Sequence, residues 1–168
     1  ARLALSHGPQ NAILRYSRLQ ICATKNPHGP RRFAQILMDL EVGAAAAPPA
    51  FVRAFARVLD YAPRDPAFGA EALALPSEAT IAEQLEEVAP DAIPAVRNGL
   101  RRALAQALRG ELLATYRAQA VPGAYDPNAQ AAGRRALRNL CLGYLLELDD
   151  AEMRALALFQ FERADNMT

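Results

Sequence analysis

The sequence predicts an all-α protein in which successive antiparallel helices stack into a solenoid-like superhelical array. From Pro48 onward, apolar residues recur at spacings of three or four, which places them on one face of a helix. No stretch in this region alternates apolar and polar residues for long enough to indicate a strand. Short segments rich in proline, glycine or capping residues separate the periodic stretches, as expected for helices joined by short loops.

The first predicted helix follows Pro48 and Pro49, because a proline in the first turn of a helix loses no hydrogen bond. Its pattern stops at residues 61–63. Asp65 followed by Pro66 then predicts an N-cap and the start of a second, short helix. The apolar face of the first helix consists of Phe51, Phe55, Val58 and Leu59.

Ser77 is the predicted N-cap of the next helix, and Glu78 places a negative charge at the positive end of its dipole. Asp91 then opens the longest periodic stretch, which predicts one continuous helix to about Ala118. The stripe of the shorter helix would be Ile81, Leu85 and Val88. The stripe of the longer one would be Ile93, Val96, Leu100, Leu104, Leu108 and Leu112.

The segment from Val121 to Asn128 is dense in Pro, Gly, Asp and Asn and predicts a loop. Asp149 and Glu152 have the spacing of a capping box and predict the start of a final helix. A helix is also predicted between this loop and Asp149. Its apolar face would consist of Leu137, Leu140, Cys141, Tyr144, Leu145 and Leu148. The apolar residues of the final helix are Met153, Leu156, Leu158 and Phe159.

Residues 1–47 are predicted to form a separate N-terminal helical region that ends in an Ala/Pro linker. Two stretches, Ile13–Ile21 and Phe33–Leu40, permit helices, and the breaker-rich segment Asn26–Arg32 divides them. The segment Gly43–Pro49, GAAAAPP, is typical of a flexible connector.

Composition indicates a folded domain with no general affinity for charged partners. The chain has 168 residues, 52% of them hydrophobic, and a formal net charge of +1. We therefore expect neither nucleic acid nor a membrane as a partner, since no bulk charge favours either and no apolar run is long enough to span a bilayer. Cys22 and Cys141 are too few and too distant for a disulfide framework, which favours a reducing compartment and a cytoplasmic location.

Catalytic constellations are missing from the sequence. A zinc peptidase of the His-Glu-x-x-His type needs two histidines four residues apart on a helix, with a glutamate beside the first. The two histidines here, His7 and His28, lie in unrelated loop-like settings. A nucleophile elbow, a phosphate-binding loop and a Cys-x-x-Cys pair are also absent. We therefore expect no catalytic, cofactor or metal site in this chain.

Arginines flank the apolar stripe of the longest predicted helix. Their aliphatic stems are expected to cover the edges of the core while their guanidinium groups pair with neighbouring carboxylates. Binding of RNA or DNA is the less favoured alternative, because no aromatic residues are interleaved for base stacking. The arginines concerned are Arg97, Arg101, Arg102 and Arg109.

Two segments near the C-terminus resemble the signatures of a known family. Arg134–Leu145 reads RRALRNLCLGYL, and Gln160–Thr168 reads QFERADNMT. They are similar to the Leu-Arg-Asn-x-Cys-Leu and Gln-Phe-x-x-Ala-x-Asn-Met-Thr motifs in the helical C-terminal domain of the aminopeptidase N family of zinc metallopeptidases. Ala72–Glu78 and Pro90–Leu104 extend the likeness, whereas Gly8–Asn11 keeps only Pro and Asn of the family's Asp-Pro-Phe-Asn-Arg-Trp segment.

The resemblance implies an armadillo/HEAT-like array that is incomplete, with residues 48–168 as the first part of the family's C-terminal helical domain. The parent enzyme would remove N-terminal amino acids from peptides, using zinc held in a catalytic domain of the same polypeptide, with no cofactor in this chain. The role implied here is architectural: the domain would cover the active site and limit substrate access. Its partners would be that catalytic domain and the peptide substrates of the whole enzyme, and its unfinished end would allow self-association.

Two alternatives stay open: a stand-alone helical-repeat module for protein interaction, and a non-functional product of a broken gene.

The family's catalytic residues have no counterpart in this chain, so the matched positions are expected to be structural. Ser77 would cap a helix, and Cys141 would pack as a small hydrophobe. Arg138 and Asn139 would tie their helix to a neighbouring loop by hydrogen bonds. The positions singled out are Ser77, Arg138, Asn139, Cys141 and Asn166.

Overall fold

The computed structural model describes residues 47–85 and 88–164, and in these ranges it contains helices and no strand. The all-α prediction is confirmed. The N-terminal region predicted for residues 1–47 lies outside the described residues except for Ala47. In the described part the helices are α1 (Pro49–Tyr61), α2 (Pro66–Leu73), α3 (Glu78–Ala82), α4 (Ala92–Ala107), α5 (Arg109–Ala118), α6 (Ala129–Leu145) and α7 (Ala151–Glu162), with 3-10 turns at Ala62–Arg64 and Leu146–Leu148.

Helix α1 begins with Pro49 in its first turn, as predicted. Its apolar face packs Phe55, Val58 and Leu59 into the core. The 3-10 turn at Ala62–Arg64 then leads into α2, where the Asp65 side chain caps the helix by accepting a hydrogen bond from the Phe68 amide at 3.2 Å. The helix starts predicted at Pro49 and at Asp65–Pro66 are therefore both observed.

Helix α3 is shorter than its sequence stripe suggested. The Ser77 hydroxyl accepts a hydrogen bond from the Thr80 amide at 3.1 Å, which satisfies one of the free donors of the first turn. The helix ends at Ala82, so only Ile81 of the stripe is fully buried. The prediction for Val88 is wrong: it lies beyond the helix and is half exposed.

The single long helix predicted from Asp91 to Ala118 is instead two helices, α4 and α5, which meet at Leu108. Leu108 leaves the helical region with φ −124° and ψ 26°. Gly110, one of the poorest helix formers, follows the break. The leucine spacing concealed the break because the Leu112 amide still donates to the Leu108 carbonyl at 2.9 Å, as in a continuous helix.

Helix α7 is capped by Asp150 rather than by Asp149. Asp149 adopts the left-handed conformation, with φ 52°, and this turn shifts the cap by one residue. The Asp150 carboxylate accepts from the amides of Glu152 at 2.7 Å and Met153 at 3.4 Å. Of the four residues predicted to form its apolar face, only Met153 is fully buried, and Leu156 is half-buried. Leu158 and Phe159 are mostly exposed, because α7 is covered on one side only.

Helix α6 is the centre of the fold and contacts α2, α4, α5 and α7. It lies closest to α2, where Gly133 faces the backbone of Ala67 so tightly that an added Cβ would be 2.9 Å from the Ala67 nitrogen. At the other end of the same pair, the buried Tyr144 hydroxyl donates to the Leu73 carbonyl at 2.8 Å. The two contacts show that α2 and α6 run in the same direction, with the α4–α5 segment between them in sequence.

Aromatic packing joins α1 to the same central helix. The Phe55 and Tyr144 rings meet edge to face, with centroids 5.3 Å apart. Tyr144 therefore contacts α1 through its ring and the end of α2 through its hydroxyl. Among the described residues, none of the helices combines the length and hydropathy required to cross a membrane.

Replacing Gly133 by alanine is expected to destabilise the protein by about 1–3 kcal/mol, because the new methyl group would push α6 away from the Ala67 backbone. The matched control is Gly99→Ala in α4, where nothing lies within 4 Å of the added Cβ. This control should raise stability by up to about 1 kcal/mol through helix propensity. Urea denaturation followed by circular dichroism measures both, and equal shifts for the two variants would contradict the packing account.

Asp150 is expected to make stability depend on pH. The Arg109 guanidinium, followed by the Glu152 amide, holds the pKa of Asp150 below its ordinary value of 3.8. Since the pKa is lower in the folded protein, the stabilisation is present above about pH 4 and is lost as the pH falls through the lowered pKa. The stability difference between wild type and Asp150→Asn should therefore stay nearly constant from pH 6 to about pH 4 and shrink as the pH falls further.

The matched control for this pH series is Asp60→Asn, which removes the same charge from an exposed carboxylate of α1 that forms no ion pair within the described residues. Its stability difference from wild type should change less with pH. Denaturation midpoints at several pH values provide the measurement, and identical pH profiles for the two variants would refute the role assigned to Asp150.

Candidate functional site

A polar network joins the last three helices around the Arg138 and Asn139 positions. The Arg138 Nη2 atom donates to the Tyr116 hydroxyl at 3.0 Å, and this hydroxyl donates to Gln160 Oε1 at 2.9 Å. The Gln160 Nε2 atom in turn donates to Asn139 Oδ1 at 2.8 Å. The chain of bonds thus runs from α6 through α5 and α7 and returns to α6.

Tyr116 holds the centre of this network. Its side chain is almost fully buried in α5, and the Arg138 guanidinium carbon lies 4.6 Å from the centre of its ring. Arg138 therefore contacts both the face and the hydroxyl of one tyrosine. A buried tyrosine hydroxyl needs a polar partner, and here it has two. Arg138 and Asn139 were expected to bind a loop, whereas their partners lie on helices α5 and α7.

Cys141 faces the core from α6 and has no accessible surface. Burial raises the pKa of its thiol to about 12. The thiol is therefore protonated at neutral pH and lacks the thiolate character that nucleophilic and metal-binding cysteines require. Asn166 lies outside the described residues.

The described part of the chain contains no candidate metal site. No three His, Cys, Asp or Glu side chains in it lie close enough together to hold a metal ion. His7 and His28 both lie outside the described residues. Ser77 acts through its cap and through a hydroxyl contact with Thr80 at 2.8 Å.

The arginines of α4 and α5 bind groups of this same chain. Arg101 pairs with Glu147 at 3.2 Å, and Arg109 pairs with Asp150 and Glu152 at 3.0 and 2.7 Å. Pairing with carboxylates was predicted and is confirmed for these two. Arg97 and Arg102 instead donate to the backbone carbonyls of Pro76 and Glu147.

A groove of about 300 Å³ opens beside the polar network, between the loop at residues 121–128 and helices α6 and α7. We call it the arginine groove, because Arg135, Arg138 and Arg163 line it. Sequence reasoning missed it. The arginines are 28 residues apart at their extremes, and only the fold of α6 against α7 brings them together.

Tyr116 and Gln160 are the functional side chains that helix periodicity could not identify. Tyr116 lies within α5, where an aromatic side chain is expected to pack in the core. Gln160 is a polar residue of the kind that commonly lies on a helix surface. A signal for Gln160 was present, since it belongs to the QFERADNMT segment that resembles a family motif.

Replacing Arg138 by alanine is expected to lower the free energy of unfolding by about 1–3 kcal/mol, because the Tyr116 ring loses its cation and the Tyr116 hydroxyl loses one of its two hydrogen-bond partners. Tyr116→Phe keeps the ring and removes only the hydroxyl, so it should cost less than Arg138→Ala. Asn139→Ala removes the exposed end of the same network and should cost under about 1 kcal/mol. Urea denaturation midpoints compare the three, and an unchanged midpoint for Arg138→Ala would show that the network does not stabilise the fold.

Comparison with known families identifies the kind of domain. The family model that matches residues 10–168 is described as a domain of unknown function (DUF3458_C) with ARM repeats. ARM repeats are stacked helical units, so this match confirms the solenoid-like arrangement. The matched range includes much of the N-terminal segment to which the sequence motifs did not extend.

Two curated relatives are aminopeptidases. Aminopeptidase N of Caulobacter vibrioides is 41% identical over 104 residues, which make up 62% of this chain and 12% of that protein. Aminopeptidase N of Escherichia coli is 40% identical over the same length, with the same coverage. The chain thus spans about an eighth of the length of these relatives. The resemblance to the aminopeptidase N family is confirmed.

A solved structure supports the fold. The crystal structure of Legionella pneumophila aminopeptidase A in complex with aspartic acid matches with a TM-score of 0.71 and 21% identity. The match covers 98% of this chain and 20% of the other. With the family model spanning almost the whole sequence, the chain belongs to the DUF3458_C family of ARM-repeat domains and corresponds to a small C-terminal region of aminopeptidases.

Proposed function

We propose that this chain is the architectural helical domain of a zinc-dependent aminopeptidase. In the whole enzyme it would cover the active site and limit entry to peptides with a free N-terminus. The observation that carries the proposal is the identity of 40–41% to two aminopeptidases N over 104 residues. A structural role also suits the described residues, several of whose polar side chains form hydrogen bonds between helices.

Catalysis and zinc binding would belong to another part of the same polypeptide. The described residues offer no group of side chains that fits a metal, and Cys141 is protonated and buried. The partner of this domain would accordingly be the catalytic domain, with peptides as substrates of the complete enzyme. A cytoplasmic location goes with this proposal, since a free, reduced Cys141 suits a reducing compartment.

A stand-alone interaction module is the second candidate, and the surface of α7 favours it. Leu158, Phe159 and Phe161 are 61%, 53% and 79% exposed. Exposed large apolar side chains on one helix are typical of a surface that contacts another protein segment. In the first proposal that segment is the rest of the aminopeptidase, and in the second it is a separate protein or another copy of this chain.

The architectural proposal predicts a change in substrate size selection. The matched 104-residue region of Escherichia coli aminopeptidase N would be deleted in one variant and replaced by the corresponding part of this chain in another. Deletion should raise the hydrolysis of a long polypeptide relative to a small alanyl chromogenic substrate, because the entrance is no longer restricted. The replacement should restore the original ratio.

Small-substrate hydrolysis and bound zinc serve as controls for an intact catalytic domain. The same ratio in all three enzymes would contradict a role in substrate access. The isolated chain, incubated with zinc and the alanyl substrate, should show no turnover, and measurable hydrolysis would overturn the placement of catalysis elsewhere.

A further inference from the structure

The arginine groove carries an excess of positive charge. Its lining includes the guanidinium groups of Arg135, Arg138 and Arg163, and Asp126 is its one carboxylate. Asp126 is already committed, since its two oxygens accept from the backbone and side-chain amides of Asn128 at 2.9 and 2.6 Å. The lining side chains therefore hold two more positive than negative charges.

Ion pairs neutralise only some of the arginines in the described residues. Arg101, Arg109, Arg117 and Arg154 each form an ion pair with an aspartate or glutamate. Within the described ranges, none of the three groove arginines does so. Arg97, Arg102 and Arg134 also form no ion pair there, but they donate to backbone carbonyls and do not line the groove, whereas the three groove arginines lie together in one concavity. The fold therefore neutralises several of its surface guanidinium groups but leaves this cluster uncompensated, which favours an anionic ligand.

Aromatic rings hold the groove arginines in place. Arg135 lies over Tyr125 at 4.8 Å and Arg138 over Tyr116 at 4.6 Å, measured from the guanidinium carbon to the ring centre. Arg163 lies over Phe159 at 5.3 Å. Arg135 Nη1 also donates to the Asp126 carbonyl at 2.8 Å, and Arg138 Nη2 donates to the Tyr116 hydroxyl at 3.0 Å. Because these two guanidinium groups are already held in place, ordering them costs less when a carboxylate binds to their remaining donors. The Nε atoms of Arg135 and Arg138 are buried without an acceptor.

The loop beside these arginines favours a peptide over a bare ion. Residues 121–127 make no backbone-to-backbone hydrogen bond among the described residues, and most of them are exposed. The Asp126 carbonyl accepts from Arg135 Nη1 at 2.8 Å, and the other backbone groups of the loop line one side of the groove without a hydrogen bond inside the described ranges. The half-exposed Tyr125 and Phe159 add apolar surface. A bare ion would use only the guanidinium groups, whereas an extended peptide would use all three features.

We propose that the arginine groove binds an acidic peptide segment, with the guanidinium groups of Arg135 and Arg163 engaging its carboxylate side chains. Arg138 contributes positive charge while it remains bound to Tyr116. This binding does not depend on the architectural role proposed above, because the groove is formed entirely by residues of this chain.

Isothermal titration of the full 168-residue chain tests the proposal. The probe is a capped peptide, acetyl-Ala-Glu-Ala-Glu-Ala-amide, and its control has Gln in place of both Glu residues. At low salt the Glu peptide should bind at least about tenfold more tightly than the Gln peptide, and added salt should weaken it. Inorganic phosphate provides a third arm, since a guanidinium fork also matches phosphate.

Two substitutions locate the site. Arg163→Gln removes an exposed guanidinium stacked on Phe159, and it should weaken binding of the Glu peptide at least about fivefold. Arg64→Gln is the matched control, because Arg64 is also exposed and lies over an aromatic ring, Tyr61, at 5.4 Å but outside the groove. Arg135→Gln provides a second groove variant, with circular dichroism to verify that each variant is folded.

The proposal is supported by Glu-selective binding that Arg163→Gln or Arg135→Gln weakens and Arg64→Gln leaves unchanged. Equal binding of the Glu and Gln peptides would overturn it, as would the absence of any binding. Equal losses in the groove and control variants would assign the effect to net charge alone. Tighter binding of phosphate than of the Glu peptide would show that the groove is a phosphate site and not a peptide site.

Discussion

The close approach of α6 to α2 is the constraint on which the rest of this fold depends. It requires a residue without a side chain at Gly133, because the Ala67 backbone occupies the space that a Cβ would take. Once these two helices are fixed, the Tyr144 hydroxyl reaches the last carbonyl of α2 and the Tyr144 ring reaches Phe55 of α1. The neighbours of α6 on its other sides, α4, α5 and α7, are then positioned by contacts with this one helix.

Arginine holds these outer helices by binding backbone carbonyls as well as carboxylates. Arg134 of α6 donates to the carbonyls of Ala118 and Ala120 at the end of α5. Arg101 of α4 donates to the Gly143 carbonyl near the end of α6. The last carbonyls of a helix have no partner within the helix, and a guanidinium group with several donors can satisfy them from a neighbouring helix. The arginine-rich composition is thus used partly as a means of capping helix ends.

Periodicity and capping signals predicted the existence and order of the helices, because both depend on residues close together in the chain. Prediction was incorrect where a distant contact or a backbone turn decided the outcome. The turn at Asp149 moved the cap of α7 to Asp150, and the break at Leu108 kept the hydrogen-bond spacing that a continuous helix would have. Likewise, Arg138 and Asn139 could be singled out as polar residues in an apolar motif, but their partners Tyr116 and Gln160 lie 22 and 21 residues away.

Helix α7 has a first part whose side chains stabilise the domain and a last part whose side chains are accessible to a ligand. Its first turns are anchored by Met153 in the core and by Arg109, which joins Asp150 and Glu152. Its later turns contribute Gln160 to the polar network but leave Phe159, Phe161 and Arg163 accessible. Because these accessible side chains lie outside the packed interior, they can change without loss of the fold, and binding specificity at this edge can therefore vary independently of stability.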